Sequence, residues 1–139
     1  MKKRFLLFFT LILVTVFSYA CTTQPEPVYV QGDEKDTLTA QAEPYVQDIL
    51  TGIQNADFTT FKKDFDEGML AAMTEKDFST IIKAYGTQGA PQATELINIE
   101  DITDFYRLNY KVTYADMIVI IQVVLPKTEP RLVSGLWFK

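Results

Sequence analysis

The run Asp104–Leu125, DFYRLNYKVTYADMIVIIQVVL, decides the fold class. Tyr106, Leu108, Tyr110, Val112 and Tyr114 occupy alternate positions, with Arg107, Asn109, Lys111 and Thr113 between them. A period of two sends successive side chains to opposite sides of a strand, so one side is apolar and the other polar. Ala115-Asp116 reads as a tight connection. Met117–Leu125 is apolar throughout except at Gln122, which reads as a strand covered on both faces. Upstream, Ile97 and Ile99 alternate with Asn98 and Glu100 in a short strand. Downstream, Pro126 to Pro130 turns the chain, and Leu132, Leu136 and Phe138 alternate along a last strand.

The residues before these strands change period. Leu38, Ala42, Val46, Ile49, Leu50 and Ile53 recur at helical spacing, with Asp36 in the position of an N-cap. Pro44 interrupts that pattern by removing a donor, so the regular helix is expected to start near Glu43. Asp57 caps a second helix with Phe58, Phe61, Phe65 and Met69 on one face. Thr74 and Asp77 form an acidic capping box for a third, whose Phe78, Ile81, Ile82 and Tyr85 keep a 3.6-residue period until Gly86. At such spacing aromatic stripes are core rather than a ligand box. Three helices followed by about four antiparallel strands make an α+β domain, with the helices on one face of the sheet.

The N-terminus is read separately. Met1-Lys2-Lys3-Arg4 is basic, Phe5–Phe17 is an apolar run, and Ser18-Tyr19-Ala20 supplies small residues at the first and third places. That order is a secretory signal over residues 1–20. At thirteen residues the run falls short of the ~18 that a spanning helix needs. Ala20-Cys21 resembles the end of a bacterial lipoprotein box, with Ser18 where such boxes carry leucine. Cys21 is the only cysteine, so no internal disulfide can use it, and lipidation accounts for both its place and its solitude. The alternative is an ordinary cut at the same bond. Residues 21–35 (CTTQPEPVYVQGDEK) bury too little to order themselves and read as a tether, and residues 36–139 read as the folded domain. The expected address is the outer side of a cell membrane, with membrane lipid contacted through acyl groups on Cys21.

Charge and missing residue types narrow the function. Beyond residue 20 the chain holds ten basic and eighteen acidic residues, a net charge of −8. Nucleic acid demands a basic face and is an unsuitable partner. There is no histidine, which removes Ser–His–Asp and Cys–His machinery and the usual zinc sets. Ser79 and Ser134 are the only serines beyond residue 20. Asp64–Glu75 imitates a calcium loop but places Met69 where the sharp turn needs glycine. Glu95, Glu100, Asp101 and Asp104 show no spacing that converges two carboxylates in one pocket. No cofactor or metal is implied.

The order of elements, with Asn55-Ala56-Asp57-Phe58 before the second helix, Gly86 and Gly89 before the strands, and the ending Val133-Ser134-Gly135-Leu136-Trp137-Phe138, resembles the nuclear-transport-factor-2-like superfamily. More narrowly, residues 43–139 resemble small exported microbial domains of unknown function. The resemblance implies a cone-like, cystatin-like wrap of helices around a curved sheet, with room for a cavity. It carries no catalytic residue across. Tyr106, Tyr110 and Tyr114 are then candidate pocket-lining residues, with simple packing as the other reading. Ile118, Ile120 and Trp137 are a candidate association face for a homodimer. The function expected is a non-catalytic, tethered binding or adaptor domain for a small ligand or protein. A homodimeric structural module and a small-pocket enzyme are the alternatives.

Overall fold

The computed structural model describes residues 26–139. The expected signal sequence, Cys21 and the first part of the expected tether lie outside the described residues. The fold is α+β, with four helices and an open five-stranded antiparallel sheet among the described residues.

The first helix, α1, spans Gly32–Asn55 and is the main cover of the sheet. It begins well before Asp36 or Glu43 and runs through Pro44 unbroken. Proline deprives the carbonyl of Ala40 of its intrahelical donor. Ala40 lies on the exposed side of the helix. Buried side chains on both sides of the proline, Leu38 and Ala42 before it and Val46 and Ile49 after it, hold the helix against the core. Ala56 closes the helix in the left-handed region (φ 52°), a conformation that residues with a Cβ adopt at a cost.

The expected second helix is two short ones. α2 (Phe58–Phe61) is capped by Asp57, whose carboxylate accepts from the Thr59 and Thr60 N–H groups. α3 (Glu67–Ala72) is capped by Asp66, which accepts from Met69 N–H at 2.7 Å. The break lies at Phe65, where Asp66 N–H reaches Val133 O and Val133 N–H reaches Asp64 O, both at 2.9 Å. Phe58, Phe61, Phe65 and Phe78 still gather into one aromatic cluster. α4 (Glu75–Tyr85) carries the capping box of Thr74 and Asp77.

The sheet follows chain order. β1 (Val28–Tyr29) pairs with the far end of β2 (Ala93–Ile102), so the stretch expected as tether enters the fold at Val28. Two residues were too short a signal to distinguish from linker. β2 is longer than its alternating core suggested and carries a bulge between Leu96 and Asn98. β3 (Phe105–Thr113) and β4 (Ile118–Pro126) pair along their whole length. Their turn is closed by Tyr114 N–H to Met117 O at 2.8 Å. β5 (Gly135–Phe138) pairs with the middle of β4, from Ile121 to Val124, while Val133, ahead of the strand, bridges to Phe65.

Register separates two faces. Leu108 lies opposite Val123, Tyr110 opposite Ile121 and Val112 opposite Val119, all buried against Leu38, Val46, Ile49 and Ile53 of α1. The other face carries Arg107, Asn109, Lys111, Ile118, Ile120 and Trp137. β4 is therefore covered by the helical layer on one side alone. Ile118 (61 % exposed) and Trp137 (52 % exposed) mark the open side. Among the described residues no helix is long and apolar enough to cross a membrane.

Candidate functional site

A cleft of about 440 Å³ open to a ligand lies between α1 and β2. Helix α1 supplies Glu43, Pro44, Val46 and Gln47, and β2 supplies Thr94 and Leu96. The β2 side of the cleft lies next to the bulge between Leu96 and Asn98. Its floor is Tyr110 of β3, a residue only 3 % exposed. The Tyr110 hydroxyl is buried and has no hydrogen-bond partner among the described residues. Burial, followed by the negative charge of Glu43, pushes its ionisation well above the ordinary tyrosine range. The hydroxyl therefore stays neutral at physiological pH, able both to donate and to accept. Glu43 and Gln47 are exposed on the rim, while Val46 and Leu96 make the wall apolar.

The three candidate tyrosines share one face of the sheet but not one site. Tyr106 donates its hydroxyl to Glu34 of α1, a bond that raises its ionisation and ties the first turn of the helix to the sheet. Tyr114 lies at the opposite end of β3, bordering a separate depression with Gln92 and Met117. Its ionisation is raised by burial and then by Tyr85. Only Tyr110 enters the cleft. Glu43, Gln47, Thr94 and Leu96 were not legible as site residues, because exposed polar positions on a helix look like any solvated face. Pro44 was the one signal, since a proline inside a long helix often accompanies a local irregularity.

Ile118, Ile120 and Trp137 share the open sheet face, with Ile118 toward the β3–β4 turn and Trp137 opposite Gln122. Trp137 lies over Gly135, where an added Cβ would come within 2.6 Å of the indole ring. Beside it runs a polar ladder across three strands. Gln122 Nε2 donates to Asn109 Oδ1 at 2.7 Å, and Asn109 Nδ2 donates to Asn98 Oδ1 at 2.6 Å and Glu100 Oε1 at 2.7 Å. Arg107 Nη1 joins Glu100 Oε2 at 3.1 Å. This network makes the face only partly apolar.

The carboxylates singled out in the sequence go to separate cations. Glu95 pairs with Lys111 at 2.6 Å, Glu100 with Arg107, and Asp101 with Lys127. Asp104 contributes a backbone carbonyl, which accepts from Lys127 N–H. A different acidic pair forms instead. Asp64 lies against Asp48, and burial followed by that neighbour raises the Asp64 ionisation, while Lys63 bonds Asp48 at 2.7 Å. Ser79 and Ser134 donate to the carbonyls of Glu75 and Val124. Among the described residues no three potential ligands converge as a metal site.

No protein-family model matches this chain, and no curated protein or solved structure matches it either.

Proposed function

We propose that this chain is a binding domain held at the outer side of a cell membrane by a lipid on Cys21, and that the α1–β2 cleft is its ligand site. The observation that carries the reading is the Tyr110 hydroxyl. A buried hydroxyl without a partner costs about 1–3 kcal/mol, a penalty that a bound ligand with a polar atom at that point removes. The volume of the cleft falls in the ordinary range of ligand sites, and its mixture of apolar wall and few polar groups suits recognition. The reading is non-catalytic: Tyr110 and Glu43 bind and orient, and Glu95, Glu100 and Asp101 are occupied by cations.

The same proposal includes kinship with the nuclear-transport-factor-2-like superfamily and its cone-like wrap. Its support is the order of one long helix, short helices and an antiparallel sheet whose bulged strand leaves a cleft under the helix. Two measurements test the function. Palmitate labelling and membrane retention of the full chain are expected to disappear in Cys21→Ser; retention of label in that variant overturns the anchor. Native mass spectrometry of chain extracted gently from an expressing cell is expected to show an added mass, lost in Gln47→Trp, whose exposed indole fills the cleft. A bound mass that persists in Gln47→Trp places the ligand elsewhere.

A second reading is favoured by Ile118, Trp137 and Phe105, exposed at 61 %, 52 % and 40 % on the open sheet face. Apolar side chains exposed along one sheet face can mark an association surface. Stacking of two such faces makes a homodimer. Sedimentation equilibrium is expected to report that dimer, with Trp137→Lys shifting it to monomer. A wild-type chain that stays monomeric at high concentration removes this reading.

A further inference from the structure

The wall of the cleft contributed by β2 is also an open strand edge. β1 covers only the far end of β2, with Val28 opposite Asp101, Tyr29 opposite Glu100 and Val30 N–H on Ile99 O at 2.9 Å. The chain then turns into α1 at Gly32. Ala93–Asn98 is left with β3 on one side and no strand on the other among the described residues. Edges of this kind are usually blunted by lysine, proline or an overlying loop. This one has the bulge between Leu96 and Asn98 and the charge of Glu95, and Ala93–Leu96 stays regular and exposed at Ala93, Thr94 and Glu95.

We propose that the ligand of the cleft is an extended peptide segment of a partner protein, added as a sixth strand to the free edge of β2 over Ala93–Leu96, with a lysine or arginine side chain reaching between α1 and β2 to Glu43 and Tyr110. The inference rests on the cleft being the binding site. Main-chain bonds to the edge supply affinity and alternate side-chain pockets supply selectivity in this mode of recognition. Successive residues of an added strand point to opposite sides, so every second side chain enters the cleft.

Charge selects the side chain. Glu43 has no ion-pair partner among the described residues, whereas Glu95 is matched by Lys111. The uncompensated charge of the groove is negative. The methylene stem of lysine or arginine would lie along Pro44, Val46 and Leu96, with its charged head at Glu43 on the rim above Tyr110. Charge also excludes two occupants from this chain itself. Residues 22–31 contain no basic residue, so the preceding tether does not fit. A second copy pairing through its own β2 would bring Glu43 and Glu95 against their like.

The test is a titration of the full-length, 15N-labelled chain in a mild detergent with acetyl-Ser-Val-Thr-Lys-Val-Ser-amide. Controls are the same peptide with glutamate for lysine, the same peptide N-methylated at alternate residues, and n-butylammonium alone. Saturable shifts at Thr94, Glu95, Leu96 and Gln47 are expected for the lysine peptide, with amide exchange of the β2 edge slowed about tenfold. Glu43→Gln is expected to weaken that binding about fivefold without weakening the glutamate peptide, so that the preference for lysine narrows. Equal binding of the lysine and glutamate peptides overturns the charge selection. Equal binding of the N-methylated peptide overturns strand addition. Shifts with butylammonium but with no peptide leave the cleft as a site and sink the peptide. Silence from every probe at Gln47, Leu96 and Tyr110 sinks the cleft reading itself.

Discussion

Tyr110→Phe should make the free protein more stable and the ligand bind worse. The substitution keeps the ring, which packs with Val46 and Leu96, and removes only the buried hydroxyl. An unsatisfied hydroxyl costs about 1–3 kcal/mol, so its removal is expected to raise unfolding free energy by about 1–2 kcal/mol. A gain of 1 kcal/mol corresponds to roughly 4 °C in Tm for a domain of this size. The pH dependence gives a second signature. The Tyr110 ionisation is raised by burial and then by Glu43, so the folded state holds its proton more tightly than the unfolded chain. That contribution is fully present below the ordinary tyrosine value near ~10 and is lost as pH climbs above it, by up to about 1.4 kcal/mol per pH unit. Phenylalanine deletes this loss, while Tyr106 and Tyr114, also raised, retain theirs. Urea unfolding followed by the fluorescence of the single tryptophan, at pH 7 and again above pH 10, reads both effects. A Tyr110→Phe chain less stable than wild type by about 1 kcal/mol at pH 7 would mean that the hydroxyl is a satisfied structural bond, and the argument for the cleft would fail.

Gly52→Ala tests the contact of α1 with α2. Alanine normally gains up to ~1 kcal/mol over glycine inside a helix, but its Cβ would meet Phe61 N at 2.5 Å and Phe61 Cα at 2.6 Å. Backbone cannot rotate away, so a net loss of about 2 kcal/mol is expected in urea, and a neutral or stabilising result contradicts the packing described. Four residues on, Ala56→Gly should stabilise by roughly 0.5–1 kcal/mol because Ala56 sits at φ 52°; a loss of stability would show that its Cβ contributes more than the strain costs. Asp64→Asn is expected to raise stability at pH 7. Burial and Asp48 raise the ionisation of Asp64, so its favourable protonated form is present at acid pH and lost as pH rises through the elevated value. The gain should therefore shrink to nothing on acidification to below the ordinary carboxylate range, and a gain that persists there refutes the electrostatic cause.

The parts of the fold visible in the sequence were those in which one local rule acts without competition. The Thr74–Asp77 capping box and the stripe ending at Tyr85 produced α4 as read. The alternation of Tyr106 to Tyr114 likewise fixed both faces of β3. Elsewhere tertiary contacts overrode local preference. Pro44 argued for a late helix start, yet the burial of Leu38 and Ala42 carried α1 through it. Phe65 matched the helical stripe, but its neighbours bond Val133, a residue far along the chain, and this splits the helix in two. The candidate site was legible only at its floor. In the sequence Tyr110 is indistinguishable from Tyr106, and what separates them is that α1 offers Glu34 to one hydroxyl and nothing to the other. The open edge of β2 follows from where β1 stops, a matter of sheet order that no local pattern records.

Hydrogen–deuterium exchange of the full chain tests the central claim most directly, comparing membranes isolated from an expressing cell with the same chain purified in detergent. Occupation of the cleft predicts slower exchange in the membranes for the amides of residues 93–98 and of 43–47, with the open face around Ile118 and Trp137 unchanged. Identical exchange of both segments in the two preparations, or protection confined to β4 and β5, would contradict it.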